Sequence, residues 1–91
     1  MSVEIRTTAL AYEAYIDGVR VGELAFSRQD NEFTALHTEV DPAAGGKGVG
    51  TALVLALLDD VRAVDGKVVA LCPFVAAYFD RHPELASLRT S

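Results

Sequence analysis

The sequence predicts an α+β or α/β fold in one domain, a mixed sheet of about four strands packed with one long and one short helix. Three observations predict it. Asp17-Gly18 separates two runs of strand-forming residues, as in a tight β-hairpin. An apolar segment after Gly48 has the length of a buried helix. A β-branched run follows, so strand, helix and strand form a βαβ unit with parallel strands.

The first half of the chain predicts antiparallel hairpins. In the second strand the apolar positions change phase at Gly22, which indicates a β-bulge there. A turn at residues 29–31 leads into the third strand, and Pro42 ends that strand. The three expected strands are Ala9–Ile16, Val19–Phe26 and Glu32–Val40.

The second half predicts two helices and a fourth strand. The long helix is apolar almost all round, which indicates burial on more than one side, and Asp65-Gly66 ends it. Pro73 suits the first turn of the short helix, and Pro83 ends it. The expected elements are a helix over about 48–64, a strand over Lys67–Leu71 and a helix over Phe74–Arg81.

The composition argues against several classes of function. The net charge is −5 with a pI near 4.8, and no basic patch is visible, so a nucleic-acid partner is not expected. An acidic surface instead suits a cationic acceptor such as an amine. Two histidines without a cluster of cysteines or carboxylates give no metal-site spacing, so no metal is expected.

The expected location follows from three features. The single cysteine, Cys72, excludes an intramolecular disulfide and suits a reducing compartment. The N-terminal residues lack the apolar core of a signal peptide. The longest unbroken apolar run, Ala52–Leu58, is too short to cross a bilayer. We therefore expect a cytoplasmic protein without a membrane partner.

The segment Gly45-Gly46-Lys47-Gly48-Val49-Gly50 lies between the third strand and the long helix. Glycines let the backbone approach a ligand, and a helix start presents unpaired N–H groups with a partial positive charge. The spacing matches neither a Walker A loop nor a dinucleotide fingerprint. The remaining pattern, Gly48 and Gly50 ahead of a helix, is compatible with a phosphate loop or with a plain turn.

Residues 36–84 carry two motifs at a characteristic separation, TEVDPAAGGKGVG and CPFVAAYFDRHPE. Together they resemble the minimal branch of the GNAT superfamily of acetyl-CoA-dependent N-acetyltransferases. The superfamily's loop opens with Gln or Arg, whereas this chain has Gly45 there. The resemblance implies a reduced GNAT domain over residues 1–91 with an ordered core of about 9–84. It also implies loss of the helices that wall the acceptor site, and hence an open cleft or a homodimer that supplies the wall.

The resemblance further implies an acetyl-CoA site between the third and fourth strands, which in this superfamily splay apart around the pantetheine arm. Val40 would offer its backbone to that arm. The loop would hold the pyrophosphate mainly through backbone N–H groups, and Lys47 would add charge. The pyrophosphate candidates are Gly46, Lys47, Gly48, Val49, Gly50 and Thr51.

Four residues are candidates for the chemistry of acetyl transfer. The resemblance puts Tyr78 where a tyrosine protonates the departing thiolate, a role that suits a phenol, although a core tyrosine is the alternative. Cys72 precedes a helix, where a thiol can become nucleophilic, but a lone cysteine is usually a small buried hydrophobe. His37 and Glu39 share one face of the third strand and either could accept the amine proton. The alternative is a structural histidine and a solvated carboxylate.

Three functions remain open at this point. The first is an N-acetyltransferase that moves an acetyl group from acetyl-CoA to a primary amine of a small molecule or peptide. The second is a CoA or acyl-CoA binding module without turnover. The third is a structural domain that dimerises through its apolar helix. Binding of CoA separates the third from the first two, and turnover separates the first from the second.

Overall fold

The strands of the protein form one sheet, in the same order as they occur along the chain. The computed structural model describes residues 2–90. Strands β1 to β4 pair antiparallel, whereas β4 and β5 pair parallel. The expected mixed sheet with a parallel βαβ pair is therefore confirmed. The strands are β1 (Glu4–Thr7), β2 (Ala11–Ile16), β3 (Val19–Gln29), β4 (Glu32–Val40) and β5 (Lys67–Ala70).

Strand β1 corrects the expected number of strands, because the sequence predicted about four and the sheet has five. Only Ile5 in β1 is partly buried, and the other three residues are exposed. An edge strand with so little apolar surface has no alternation to detect. For the same reason the extension of β3 past Phe26 to Gln29, through three exposed residues, was not predicted. Strand β1 also lies ahead of the expected core of residues 9–84.

The two hairpin turns are built on aspartates. Asp17 and Gly18 have φ angles of 51° and 80°, so both residues of the predicted two-residue turn adopt the left-handed conformation. Asp30, with φ 56°, lies in the turn that joins β3 to β4. Both predicted turns are therefore confirmed.

The bulge predicted near Gly22 is present in β3. The register with β2 shifts at Val21, which is the extra residue directly before Gly22. A Cβ at Gly22 would lie 2.9 Å from Cγ1 of Val49. Glycine at this position therefore lets the start of the long helix approach the sheet closely.

Two helices follow the antiparallel part. Helix α1 (Val49–Ala63) packs across β2, β3 and β4, and helix α2 (Pro73–Arg81) packs against β4 and β5. Two short 3-10 helices, Pro42–Ala44 and Pro83–Leu88, precede α1 and follow α2. The boundaries of both α-helices agree with those predicted to within one residue.

Helix α1 is less buried than its composition suggested. Its buried side chains cover about half of its circumference, given roughly 100° per residue, and Leu55 on the other half is 44% exposed. The expectation of burial on more than one side therefore overstated the covered surface, because apolar residues also lie on the solvent side. The buried residues of α1 are Val49, Leu53, Val54, Leu57, Leu58 and Val61.

The two edges of the sheet are protected in different ways. The C-terminal residues return beside β5, where Arg89 forms a parallel bridge with Val68 and the Thr90 N–H donates to the Val68 carbonyl at 2.8 Å. At the opposite edge, Arg6 and Glu4 of β1 form an exposed ion pair of 2.9 Å. One edge is thus covered by chain, and the other carries charged side chains.

A partly buried hydrogen bond joins the sheet to α1 at the edge of the core. Tyr12 of β2 is 1% exposed, its ring stacks on Phe26 with centroids 4.7 Å apart, and its hydroxyl donates to Oδ2 of Asp60 at 2.8 Å. Burial and this hydrogen bond raise the pKa of the Tyr12 phenol well above its ordinary value. The phenol therefore stays neutral and acts as a donor.

Replacement of Tyr12 by Phe should remove this hydrogen bond while keeping the ring. We expect the free energy of unfolding, measured by urea denaturation, to fall by about 0.5–1.5 kcal/mol, the usual net value of one hydrogen bond. The matched control is Tyr15→Phe, because the Tyr15 hydroxyl bonds to Glu13 at 3.1 Å on the other face of the sheet. Equal losses in the two variants would contradict a specific contribution from the Tyr12–Asp60 bond.

Candidate functional site

The two parallel strands separate after four residue pairs, and the gap forms a fork in the sheet. The ladder between β4 and β5 ends at the pair Ala35–Ala70. The N–H groups of Leu71 and Cys72 then both donate to the Ala35 carbonyl, at 3.1 and 2.9 Å. Strand β4 continues beyond this point to Val40. The expected separation of these two strands is therefore confirmed.

The backbone of β4 presents hydrogen-bonding groups to the fork. The Asp41 N–H donates to the Val21 carbonyl of β3 at 2.8 Å. Because N–H and C=O groups point alternately to the two sides of a strand, those of Val40 point away from β3 and into the fork. The backbone N–H and C=O groups of Thr38, two residues earlier, point in the same direction. The backbone of Val40 thus lies where an extended ligand could bond to it.

Two glycines of the loop adopt a conformation that other residues rarely take. Gly46 and Gly48 have φ angles of 78° and 76°, and a Cβ at either would meet no atom within 4 Å. Glycine is therefore favoured at both positions by the backbone conformation and not by a lack of space. Gly48 is the N-cap of α1, and the first N–H that bonds back in the helix is that of Ala52, to the Gly48 carbonyl at 3.0 Å. The N–H groups of residues 49–51 precede it and are suited to an anion.

Gly50 and Gly45 meet steric requirements instead. Gly50 lies in the first turn of α1, and a Cβ there would lie 2.6 Å from Cζ of Phe74 in α2. Its missing side chain makes room for that ring. Gly45 has an extended backbone, and a Cβ there would lie 3.2 Å from the Pro42 carbonyl oxygen. The Gln or Arg of the superfamily pattern would therefore crowd this turn.

The other loop residues differ in what they can offer a ligand. Val49 is 2% exposed and belongs to the core, so only its backbone is available. Lys47 and Thr51 are exposed. Lys47 can therefore bring an ammonium group to an anion held at the start of α1, although its long side chain is free to move in solvent.

Cys72 lies at the fork, between the end of β5 and the start of α2. It is the N-cap residue of α2, and its carbonyl accepts the Ala76 N–H at 2.9 Å. Its side chain is 1% exposed, and Sγ lies 3.3 Å from Oγ1 of Thr38, across the fork. The structure thus places the thiol against β4 at the point where the two strands diverge.

Tyr78 lies on the buried side of α2. It is 8% exposed, and its ring stacks on that of His82 with centroids 4.1 Å apart. His82 is the C-cap residue of α2, as its predicted place at a helix end requires. Within residues 2–90 the Tyr78 hydroxyl has no hydrogen-bond partner, so it is available to a ligand. Tyr78 lies about 9 Å along the helix from Cys72, and helical side chains lean back toward the N-terminus.

His37 and Glu39 share one face of β4, as predicted. Nε2 of His37 lies 3.8 Å from Oε1 of Glu39 and 3.5 Å from Oε2 of Glu23 in β3. The side chains of His37 and Glu39 are 53% and 81% exposed. Because side chains alternate along a strand, this pair lies on the opposite face of β4 from Thr38. We call the surface formed by Glu23, His37 and Glu39 the open face.

A groove of about 260 Å³ lies beside the open face, at the end of β3 and β4. It is lined by residues 20–23 and 39–42. Arg20 in this groove pairs with Glu23 and approaches Glu13 to 3.6 Å. The carboxylates of Glu23, Glu39 and Asp41 outnumber the single guanidinium, so the groove suits a cation better than an anion.

The four catalytic candidates therefore fall into separate groups. Cys72 lies with Thr38 at the fork, whereas His37 and Glu39 lie together on the open face. Tyr78 lies further along α2.

Three residues of the candidate site, Thr38, Glu23 and Phe74, were not predicted from the sequence. Thr38 belongs to the first motif, and its two-residue spacing from Val40 is a signal that could have identified it. Phe74 belongs to the second motif, but its contact with Gly50 joins two helices. Glu23 reaches His37 only because β3 and β4 pair with a second bulge, at which the register shifts between Ala25 and Phe26. Single-sequence patterns do not contain that register.

Two further features concern only the described part of the chain. Within residues 2–90 no three His, Cys, Asp or Glu side chains are grouped so that they could hold a metal ion. Over the same range no helix is long and apolar enough to cross a membrane.

Comparison with known proteins identifies a family for most of the chain. A model of the GCN5-related N-acetyltransferase family, the GNAT family of the resemblance, matches residues 11–88. None of the curated proteins compared with the sequence matches it significantly. A GCN5-like protein from Staphylococcus aureus has a similar fold, with a TM-score of 0.76 and 22% identity, over 97% of this chain and 88% of its own.

Two larger solved structures from Brucella melitensis are also similar. A ribosomal-protein-alanine N-acetyltransferase of biovar Abortus 2308 has a TM-score of 0.63 and 27% identity, over 69% of this chain and 49% of its own. A GNAT-family acetyltransferase solved in complex with acetyl-CoA has a TM-score of 0.62 and 26% identity, over 78% of this chain and 49% of its own. The chain spans about half the length of these two proteins.

Proposed function

Because the chain belongs to the GCN5-related N-acetyltransferase family, whose activity is N-acetyl transfer, we propose that acetyl-CoA binds along the glycine loop and the fork. Acetyl-CoA is the co-substrate that this family uses. The observation that supports the proposal most is a shared position in the fold. The glycine loop, which leads into α1 at the N-cap residue Gly48, and the fork lie at the same end of one βαβ unit. A pyrophosphate on the loop and a thioester in the fork are then joined by one extended pantetheine arm.

The pyrophosphate contacts the backbone of residues 46–51. The free N–H groups of residues 49–51 and the positive end of the α1 dipole stabilise its negative charge. Lys47 adds a solvent-exposed charge. The absence of an acidic residue in the first turn of α1 supports this proposal, because no carboxylate competes with the anion.

The pantetheine arm lies in the fork as an additional strand beside β4. The backbone groups of Val40 and Thr38 that point away from β3 pair with the amides of the arm. The thioester at the end of the arm lies beside Cys72. This arrangement is supported by the separation of β4 from β5 after the pair Ala35–Ala70.

The reaction is direct transfer. The neutral amine nitrogen attacks the thioester carbonyl carbon, the C–S bond breaks, and CoA leaves as a thiolate. The Tyr78 hydroxyl donates a proton to that thiolate, and Glu39 or His37 accepts the proton that the amine loses, directly or through water. Cys72 lines the site and forms no covalent intermediate.

The acceptor is a primary amine of a small molecule or a peptide, and it enters from the open face. Acetyl-CoA and the amine thus approach the fork from opposite sides of the sheet. The carboxylates of Glu23, Glu39 and Asp41 attract an ammonium group, which loses its proton before attack. A turnover screen with polyamines, amino acids and peptide amines tests this acceptor class, and activity confined to anionic amines would contradict it.

The acceptor side of the site is open because residues 8–10 alone join β1 to β2. The helices that wall this side in the larger superfamily members have no counterpart there. A homodimer that supplies the wall stays a prediction, and the oligomeric state in solution tests it. The cytoplasmic location expected from the single cysteine also stays a prediction.

A CoA-binding module without turnover is the alternative. The Tyr78 hydroxyl, which has no hydrogen-bond partner among residues 2–90, and the carboxylates of the open face favour an enzyme over a carrier. Binding of acetyl-CoA without release of free CoA for any amine in the screen would favour the alternative.

Gly48→Glu should abolish CoA binding, because the side chain brings bulk and negative charge to the anion site. Isothermal titration of CoA measures the loss. Gly18→Glu is the matched control, since Gly18 has a φ of 80° and open space around it, like Gly48, but lies in the β2–β3 turn. The control carries the same backbone strain and charge and should bind CoA normally. Equal binding by both variants would contradict the site.

Lys47→Ala should weaken CoA binding by about 1 kcal/mol, in the range of exposed ion pairs. The effect is modest because salt screens an exposed charge. Titrations at two salt concentrations should show the difference from wild type shrinking as salt rises. Lys67→Ala is the control, because Lys67 is the chain's other lysine and starts β5, at the far end from the fork. Complete loss of binding in Lys47→Ala would show that the side chain outweighs the backbone.

Cys72→Ala should retain measurable turnover, and intact-protein mass spectrometry after incubation with acetyl-CoA should show no acetylated wild-type protein. The reason is that Cys72 is proposed to line the thioester without attacking it. Cys72→Ser, which keeps a hydrogen-bonding group 3.3 Å from Thr38, serves as the conservative variant. A stable acetyl adduct on Cys72 together with an inactive Cys72→Ala variant would establish a covalent route instead.

Tyr78→Phe should lower turnover by about 10–100-fold, at or below the low end of general acid catalysis, and leave CoA binding nearly unchanged. The substitution keeps the ring stacked on His82 and removes only the acidic hydroxyl. Tyr12→Phe is the control, because it removes a hydroxyl from the core and should affect stability rather than turnover. Unchanged turnover in Tyr78→Phe would make Tyr78 a packing residue.

A further inference from the structure

We propose that Phe74 is a further acetyl-CoA-binding residue, whose ring forms an apolar wall for the pantetheine arm between the loop and the fork. The inference rests on the proposed function, because it takes the pyrophosphate to lie on the N–H groups of residues 49–51. It adds a contact that neither anion binding nor proton transfer requires.

The ring of Phe74 is held against the first turn of α1. A Cβ on Gly50 would lie 2.6 Å from Cζ, 3.1 Å from Cε2 and 3.3 Å from Cε1 of this ring. Gly50 is not in the left-handed region, so the helix itself has no need for glycine there. The missing side chain at this position therefore accommodates the ring and sets the distance between the starts of α1 and α2.

Phe74 is nevertheless left open at the surface. It is 38% exposed, whereas Val75 and Phe79 in the same helix are 0% and 4% exposed. Gly50 covers part of the ring, and part of the residue is exposed to solvent. Apolar surface of this kind gains free energy when apolar atoms of a ligand cover it.

The position of the ring identifies which part of the ligand covers it. Gly50 lies two residues after the N-cap Gly48, where the pyrophosphate is proposed. Phe74 lies two residues after Cys72, where the thioester is proposed. A ligand that joins these two positions passes the contact between Gly50 and Phe74. In CoA the joining part is the pantetheine arm, which carries a geminal dimethyl group and methylenes.

The test compares CoA with adenosine 3′-phosphate 5′-diphosphate, a fragment that keeps the pyrophosphate and lacks the pantetheine arm. In calorimetric titrations, Phe74→Ala should lower the affinity for CoA by about tenfold, as expected for partial loss of an aromatic contact, and leave the fragment unchanged. Phe74→Leu keeps apolar bulk and should give a smaller loss of CoA affinity. If circular dichroism shows that Phe74→Ala is unfolded, the comparison of CoA with the fragment is made with Phe74→Leu instead.

Two more variants complete the experiment. Leu55→Ala removes a similarly exposed apolar side chain, 44% exposed, from the solvent side of α1 and should bind CoA like wild type. Gly50→Ala should weaken CoA binding in the wild-type background, because the methyl group displaces the ring. It should have a smaller effect in the Phe74→Ala background, where that space is free.

The outcomes separate this inference from the proposed function. Wild-type binding of CoA and of the fragment, with unchanged CoA affinity in both Phe74 variants, would overturn the role of Phe74 alone. Equal losses for CoA and the fragment would also overturn it, since the ring would then act through the loop. A wild-type protein that binds neither compound would overturn the pyrophosphate site and this inference together.

Discussion

The shared acceptor at Ala35 is the constraint on which the site depends. Its carbonyl receives the N–H groups of both Leu71 and Cys72, and the parallel ladder ends there because the chain turns away into α2. The last part of β4 then has backbone groups without a neighbouring strand. Unpaired backbone groups inside a sheet are costly unless water or a ligand satisfies them. This strand position is where we propose that the extended pantetheine arm binds.

The glycines of the loop are needed for two different physical reasons, backbone conformation and space. Gly46 and Gly48 supply left-handed conformations that shape the approach to α1, whereas Gly50 supplies an empty volume that Phe74 fills. The left-handed glycines shape the loop on which we propose that the pyrophosphate binds, and the contact between Gly50 and Phe74 sets how closely α2 approaches α1.

Features that depend on residues close together in the sequence could be predicted. Asp17-Gly18 marks a hairpin, Gly22 marks a bulge, and the loop around Gly48 marks the start of a helix. Strand β1 was missed because its exposed residues carry no periodicity. The contact between Thr38 and Cys72 joins residues 34 positions apart and depends on where the ladder of β4 and β5 stops, which no local pattern encodes. The strands, turns and helix starts that carry the candidate residues were therefore predictable, whereas the contact between Thr38 and Cys72 was not.

The treatment of the two sheet edges has a consequence for self-association. An open, apolar strand edge can act as a template for a strand of another molecule and so initiate aggregation. Here Arg89 and Thr90 occupy the outer side of Val68, and β1 carries a charged pair at the other end of the sheet. The sheet is thus closed to extension by further copies at β5 and discouraged from it at β1. In a small domain with a hydrophobic content of 51%, such edges work against strand pairing between copies.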